Sequence, residues 1–256
     1  MSPDLTTDHF LDHAIAVRQF AKSGHRAGLD AIMLAATAPK NLQGRVADLG
    51  AGAGVVGMAV AHRCPEAQVD LFEIDPQLSA LSRESLTLEH NSHLTSRVSS
   101  YVGDVSAAGD LLAAAGQRPG SYGLVLANPP YNDQTHRASP DPRRSSAHMA
   151  TSTTPETWVK AAAQMLAHRG HLALILRPEN LQAWLQAVQN SLGGLVVLPL
   201  HPQAQKPASR VLIGATKDSR AALKLLPPLV LHGADGANTA RAEEILRGRA
   251  AIDLFS

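Results

Sequence analysis

From Val46 to Lys217 the chain alternates short apolar runs with helical patterns, and this repetition constrains the fold more than any other feature. RVADLG, QVDLFEID, RVSSYVGD, YGLVLAN, HLALILRP, GLVVLPL and SRVLIGATK read as strands. VVGMAVAHRC, QLSALSRESLTLEHN, VSAAGDLLAAAG, ETWVKAAAQMLAHRG and ENLQAWLQAVQNSL read as the helices between them. Apolar strands joined by helices make a parallel sheet covered on both faces. Only the loop HPQAQKPA separates the last two strands. That is too short for a helical crossover, so these two are expected to be antiparallel neighbours. The expected fold is α/β: a seven-stranded, mostly parallel sheet with one antiparallel strand and helices on both faces.

Two helical stretches are expected ahead of the sheet, at about His9–Ser23 and Leu29–Ala38. Residues 1–44 are thus read as a helical extension and residues 45–256 as the main domain. Beyond the last strand come PPLVLHGADG and a helix near Thr239–Arg247. The least patterned stretch, Gln134 to Thr153, holds His136, Arg137, Arg143, Arg144 and His148 against a single acid, Asp141. Thr154-Pro155-Glu156 then reads as an N-cap, a proline at the first helical position and an acid in the first turn. A long basic loop of this kind is more often functional than idle.

Composition closes off several classes. With 45% hydrophobic and 18% charged residues the chain can bury a sizeable core. A net charge of +1 argues neither for nor against a nucleic-acid partner, so local clustering must decide. Cys64 is the single cysteine, which excludes an internal disulfide and fits a reducing cytoplasm. The segment MSPDLTTDHFLDHAIAV has three aspartates and no basic region, unlike a signal peptide. No apolar run approaches the roughly 18 residues of a membrane span.

DLGAGAGVVG, Asp48 to Gly57, follows the first strand of the alternation and opens a helix. From Gly52 it matches the dinucleotide fingerprint G-x-G-x-x-G, with Gly54 and Gly57. From Asp48 it matches D-x-G-x-G-x-G, with Gly50, Gly52 and Gly54. The second form favours S-adenosylmethionine, because a carboxylate at the strand end suits an ammonium group, whereas phosphates want bare N–H groups. Glu73 ends the second strand, where a carboxylate can accept from both ribose hydroxyls; Glu73 or Asp75 could instead cap the next helix. Asp104 ends the third strand. It could accept from an adenine amino group while Val105 offers its N–H, or it too could be a cap.

The fourth strand ends in Asn128-Pro129-Pro130-Tyr131. Neither proline can continue a ladder, and both fix φ. The turn is stiff, and stiffness has a use here. An aromatic amine or amide nitrogen is a poor nucleophile because its lone pair is delocalised. Two fixed acceptors, the Asn128 side-chain oxygen and the Pro129 carbonyl, would draw the NH₂ group toward a pyramidal geometry and aim its lone pair at a methyl donor. Tyr131 offers a face for a planar base. Open α/β sheets bind ligands at this carboxyl edge.

DLGAGAG, FEIDP, GD and NPPY, in this order, resemble the class I S-adenosylmethionine-dependent methyltransferases that modify planar nitrogens. Together with GHRAGLDAIMLAA, KPASRVLIGATK and PPLVLHGADGANT, they make the chain similar to the bacterial tRNA (adenine-N6) methyltransferase-like family, over about Leu11 to Arg247. The resemblance implies a Rossmann-like fold and a cofactor set of Asp48, Gly50, Ala51, Gly52 and Gly54 from the loop. To these it adds Glu73, Ile74, Asp104, Val105 and Asn128. Asn128 to Tyr131 would hold the target base, flipped from its stack. Asp30 falls in a segment expected to fold over the site. One departure is Asn132, where relatives often carry a phenylalanine. NPPY is shared with glutamine-N5 methyltransferases of release factors and guanine-N2 methyltransferases of ribosomal RNA, so both stay as alternatives. The glutamine enzymes usually carry a helical recognition domain of some 70 residues ahead of the fold, and only about 45 residues precede it here.

Arg137, Arg143 and Arg144, with Lys22, Arg26, Lys206 and Arg210, could form one positive rim for RNA phosphates. His9 and His13 stand at i, i+4 but lack a third ligand, so no metal is expected. The expected activity is methyl transfer to adenine N6 in RNA, with tRNA the expected substrate, without metal or covalent intermediate. A module that keeps S-adenosylmethionine without turnover is the non-enzymatic alternative; it would have no use for NPPY. An NAD-dependent dehydrogenase would have no use for it either. A homodimer through the N-terminal helices is left open.

Overall fold

The computed structural model describes residues 4–21, 27–130 and 153–255. Its main sheet contains the seven long strands that the alternation predicts. They are β3 (Gly44–Leu49), β4 (Ala67–Glu73), β5 (Val98–Val102), β6 (Tyr122–Ala127), β7 (Leu166–Leu176), β8 (Gly193–His201) and β9 (Arg210–Thr216). Across the sheet they run β8-β9-β7-β6-β3-β4-β5. Strands β3 to β7 pair in parallel, and β9 lies antiparallel between β7 and β8. Two two-residue strands, β10 (Lys224–Leu225) and β11 (Leu229–Val230), add to β8 in parallel.

Alternate strand residues serve opposite faces, as a pleated strand requires. Val46, Val69, Leu71, Leu124 and Leu126 join one core with helices α1 (Leu29–Ala35) and α2 (Val55–Arg63). That layer also takes α3 (Pro76–Leu86) and α7 (Ala240–Leu246). Ala47, Leu49, Phe72, Tyr122 and Val125 join a second core under α4 (Ala108–Ala114), α5 (Pro155–Met165) and α6 (Leu181–Gln189). Asp70 is buried beside the second core. It accepts from the Tyr122 hydroxyl at 2.8 Å and from Arg45 at 2.9 Å, so its burial is compensated.

The N-terminal stretch corrects the expectation. Instead of a helix over His9–Ser23 there is a hairpin, β1 (Leu5–Phe10) and β2 (Ile15–Phe20), forming its own sheet with Phe10 opposite Ile15. Its turn places Leu11, Asp12 and His13 in the left-handed region, with φ of 53, 59 and 67°. Tertiary contacts hold it there. Leu11 is buried, and Asp12 pairs with Arg249 at 2.9 Å. Asn91 grips Ala16, taking its N–H at 3.1 Å and donating to its carbonyl at 2.6 Å. The hairpin thus docks beside the end of α3, where Arg18 N–H also donates to Ser85 Oγ at 2.9 Å. The second expected helix is present as α1. No helix among the described residues is long and apolar enough to cross a membrane.

Candidate active site at the carboxyl edge

The expected site residues on β3, β4, β5 and β6 come together because these four strands are neighbours and parallel, so their C-terminal ends share one edge. Gly50 and Ala51 bend off β3 with both N–H groups on the Phe72 carbonyl of β4, at 2.8 and 3.0 Å. The loop closes into α2 at Gly54, whose φ of 91° favours glycine.

The four glycines differ in what faces them. A side chain at Gly57 would meet Leu71 at 2.2 Å, and one at Gly54 would meet Leu71 at 2.9 Å. These two allow α2 to pack on β4. A side chain at Gly50 would meet the Trp158 indole at 2.7 Å, whereas at Gly52 it would meet nothing within 4 Å among the described residues. Gly52 therefore leaves room over its Cα for a ligand, while its N–H is held by Glu73.

Two carboxylates lie under this loop. Asp48 is buried, and its Oδ2 accepts from Gly57 N–H at 2.9 Å. Burial pushes its pKa up to about 7 against the help of that hydrogen bond, and the neighbouring Glu73 raises it further. Glu73 is also buried and shifted upward by desolvation. Its oxygens accept from Gly52 N–H at 2.7 Å and Asp75 N–H at 2.9 Å. A carboxylate oxygen can accept twice, so each keeps capacity for a ligand. Two coupled acids held out of water favour a cationic ligand, because it would relieve both. Asp75 is the residue that caps α3, accepting from Gln77 N–H at 2.8 Å.

Beside the acids lies an apolar slot lined by Leu49, Phe72, Ile74, Val105, Leu111 and Trp158, with Gly50, Gly103, Asp104 and Thr153 at its polar margin. Asp104 does act as a cap, with Oδ1 on Ser106 N–H at 2.8 Å, and its position in the slot lets the other oxygen serve a ligand. Phe72, Leu111, Thr153 and Trp158 were not singled out from the sequence. The apolar three read there as ordinary core residues, and Trp158 reaches the slot because α5 packs against β6 and β7 with its first turn beside Gly50.

Ala127 pairs with Leu49, so Asn128 and Gly50 leave neighbouring strands side by side. Asn128 is half-buried, Pro129 buried and Pro130 exposed. Tyr131, Arg137, Arg143 and Arg144 lie outside the described residues, as do Lys22 and Arg26. Of the remaining rim residues, Lys206 is exposed in the β8–β9 connection. Arg210 opens β9 at this same edge, and its Nε donates to Asp30 of α1 at 2.7 Å. Its guanidinium is thus engaged within the chain. Among the described residues no three His, Cys, Asp or Glu side chains gather as a metal site. His9 and His13 lie at the hairpin turn with ring centroids 5.0 Å apart.

The chain matches the family described as Methyltransferase small domain over residues 23–194. It is 31% identical over 191 residues to a Pedobacter heparinus protein named tRNA1(Val) (adenine(37)-N6)-methyltransferase, covering 73% of this chain and 76% of that one. A protein of the same name from Pectobacterium carotovorum is 27% identical over 197 residues, 76% and 75% of the two chains. Among solved structures, Atu636 from Agrobacterium tumefaciens, described as a predicted O-methyltransferase, superposes with a TM-score of 0.75. It is 32% identical, over 88% of this chain and 98% of that one. The Thermus thermophilus 16S rRNA N2 G1207 methyltransferase shares the fold, with a TM-score of 0.57 and 17% identity over 85% of this chain and 51% of that one.

Proposed function

The chain belongs to the methyltransferase small-domain family, and on that premise we propose that it methylates the N6 amine of an adenine in tRNA. S-adenosylmethionine supplies an activated methyl group on a sulfonium. The residues present fit such a cofactor: buried Asp48 and Glu73 answer positive charge, the slot past Ile74 and Val105 suits a flat ring, and Gly52 leaves room over its Cα.

The observation that carries the acceptor reading is the position of Asn128 beside Gly50 at the end of β6. In this reading the Asn128 amide oxygen and the Pro129 carbonyl accept from the two N–H bonds of the target amine. Pro129 and Pro130 hold those acceptors still, so little reorganisation is needed when charge develops on nitrogen. The proton left on the product nitrogen passes to solvent. This group set supplies acceptors rather than a base, which favours a nitrogen acceptor over an oxygen one. Tyr131 gives the base its stacking face. In this reading residues 1–44 form an extension whose α1 covers the site and residues 45–256 form the catalytic domain; the Asp30–Arg210 pair, which fastens α1 to this edge, supports that division.

The test is transfer of labelled methyl from S-adenosylmethionine to total tRNA from a host lacking the enzyme, followed by nucleoside analysis. Label is expected in N6-methyladenosine. Unlabelled tRNA in the presence of cofactor binding would refute the acceptor, and label in N2-methylguanosine of ribosomal RNA would replace it.

A further inference from the structure

We propose that the Trp158 indole forms a wall of the cofactor pocket in contact with the bound nucleoside; Gly50, whose φ of 67° already favours glycine, leaves room for it. The inference rests on the reading of this slot as the S-adenosylmethionine site.

Trp158 is the fourth residue of α5, whose start is set by Thr154 and Pro155. A tryptophan here with 6% exposure could be plain core, as Trp184 of α6 is at the same exposure. Position separates the two: Trp158 lines the slot and Trp184 does not. The benzo edge of Trp158 lies over the first glycine of the loop. A Cβ at Gly50 would stand 2.7 Å from its Cη2 and 3.3 Å from its Cζ3, inside any tolerated contact.

The open space over the loop is therefore divided. Among the described residues nothing faces Gly52, and Gly50 faces the indole. A ligand lying along the loop from Gly52 into the slot beside Ile74 and Val105 passes the indole on its way. Planar bases against aromatic side chains lose about tenfold or more in affinity when the aromatic is removed. Trp158 also outweighs the aliphatic lining in contact area, since an aromatic ring is a large apolar surface with few torsions to fix.

The experiment uses the full chain and S-adenosylhomocysteine as an unreactive probe. Calorimetric titration of the wild type comes first. Absence of binding would overturn the cofactor reading itself. Given binding, Trp158→Ala is expected to weaken it about tenfold or more, with Trp158→Phe retaining most of it. In activity assays Trp158→Ala should raise KM for S-adenosylmethionine and leave KM for tRNA unchanged, with Trp158→Phe close to wild type in both. A dissociation constant for Trp158→Ala within twofold of wild type would overturn the proposal.

Should Trp158→Ala fail to fold, the Trp184→Phe variant decides. Trp158 is then the sole tryptophan, and saturating S-adenosylhomocysteine is expected to quench or shift its emission. Unchanged emission in a variant that binds the probe would overturn the proposal as surely.

Discussion

Asp48 joins the chemistry of the site to the stability of the molecule. Its carboxyl is raised from 3.8 to about 7, chiefly by burial, so the folded state holds the proton more tightly than the unfolded chain does. The stability tied to that proton is complete below about 3.8 and is lost as pH rises through about 7. Asp48→Asn, which does not titrate, should therefore gain on wild type in Tm as pH climbs through that window, then hold a constant lead above it. Saturating S-adenosylhomocysteine should narrow the lead, because its ammonium favours the ionised acid. Thermal melts at a series of pH values, with and without the probe, check both statements. At Asn128, replacement by Ala should cut kcat about 100-fold or more and leave the cofactor dissociation constant within about twofold, since fixed polar groups at a reacting centre carry effects of that size. The acids at the strand ends and NPPY were legible from sequence because each follows a short apolar run. Trp158 was not, because four residues into an amphipathic helix a tryptophan reads as core, and only the course of α5 brings it over Gly50.

The elements before the sheet show where local pattern misleads. Phe10, Leu11, Ala14, Ile15 and Val17 fit a helical stripe, yet Ile15 and Val17 are also β-branched and alternate with Ala16 and Arg18, and β2 is what forms. No glycine or Asn-Gly pair marks the turn, whose left-handed residues are held by Leu11 packing and the Asp12–Arg249 pair. The link from α1 to β9 is testable at this scale. Asp30 and Arg210 are both partly buried, and their double-mutant cycle with alanine should show about 1 kcal/mol of coupling in urea unfolding. RNA binding offers a second measurement. Each phosphate neutralised contributes roughly −0.9 to the slope of log K against log salt. Lys206→Ala should remove about one such unit. Arg210→Ala should leave the slope nearly unchanged, because its guanidinium already serves Asp30.

On the scale of the whole molecule, strand–helix alternation was enough to predict the sheet and its mostly parallel direction, since each buried strand needs a covered face on either side, and the short loop between β8 and β9 predicted that these two are antiparallel neighbours; that β9 is the reversed strand is seen only in the structure. What the pattern did not predict was the packing of the final segment. Ile252 N–H donates to the Ala36 carbonyl at 2.7 Å, and Leu254 seats over Gly214 of β9. Both side chains are buried, so Ile252→Ala and Leu254→Ala should each lower unfolding stability by about 2–4 kcal/mol, read from urea titrations at constant m-value. The place of β9 has a consequence for synthesis on the ribosome. Because β9 lies between β7 and β8, a nascent chain that has not yet delivered Arg210–Thr216 has no partner for β8 and leaves the apolar β7 as an open edge. The candidate site edge, built from β3 to β6, is translated early but cannot sit on a complete sheet until nearly the last strand arrives. Ribosome-bound intermediates of this chain should therefore be chaperone clients up to that point, and release from the chaperone should coincide with emergence of β9.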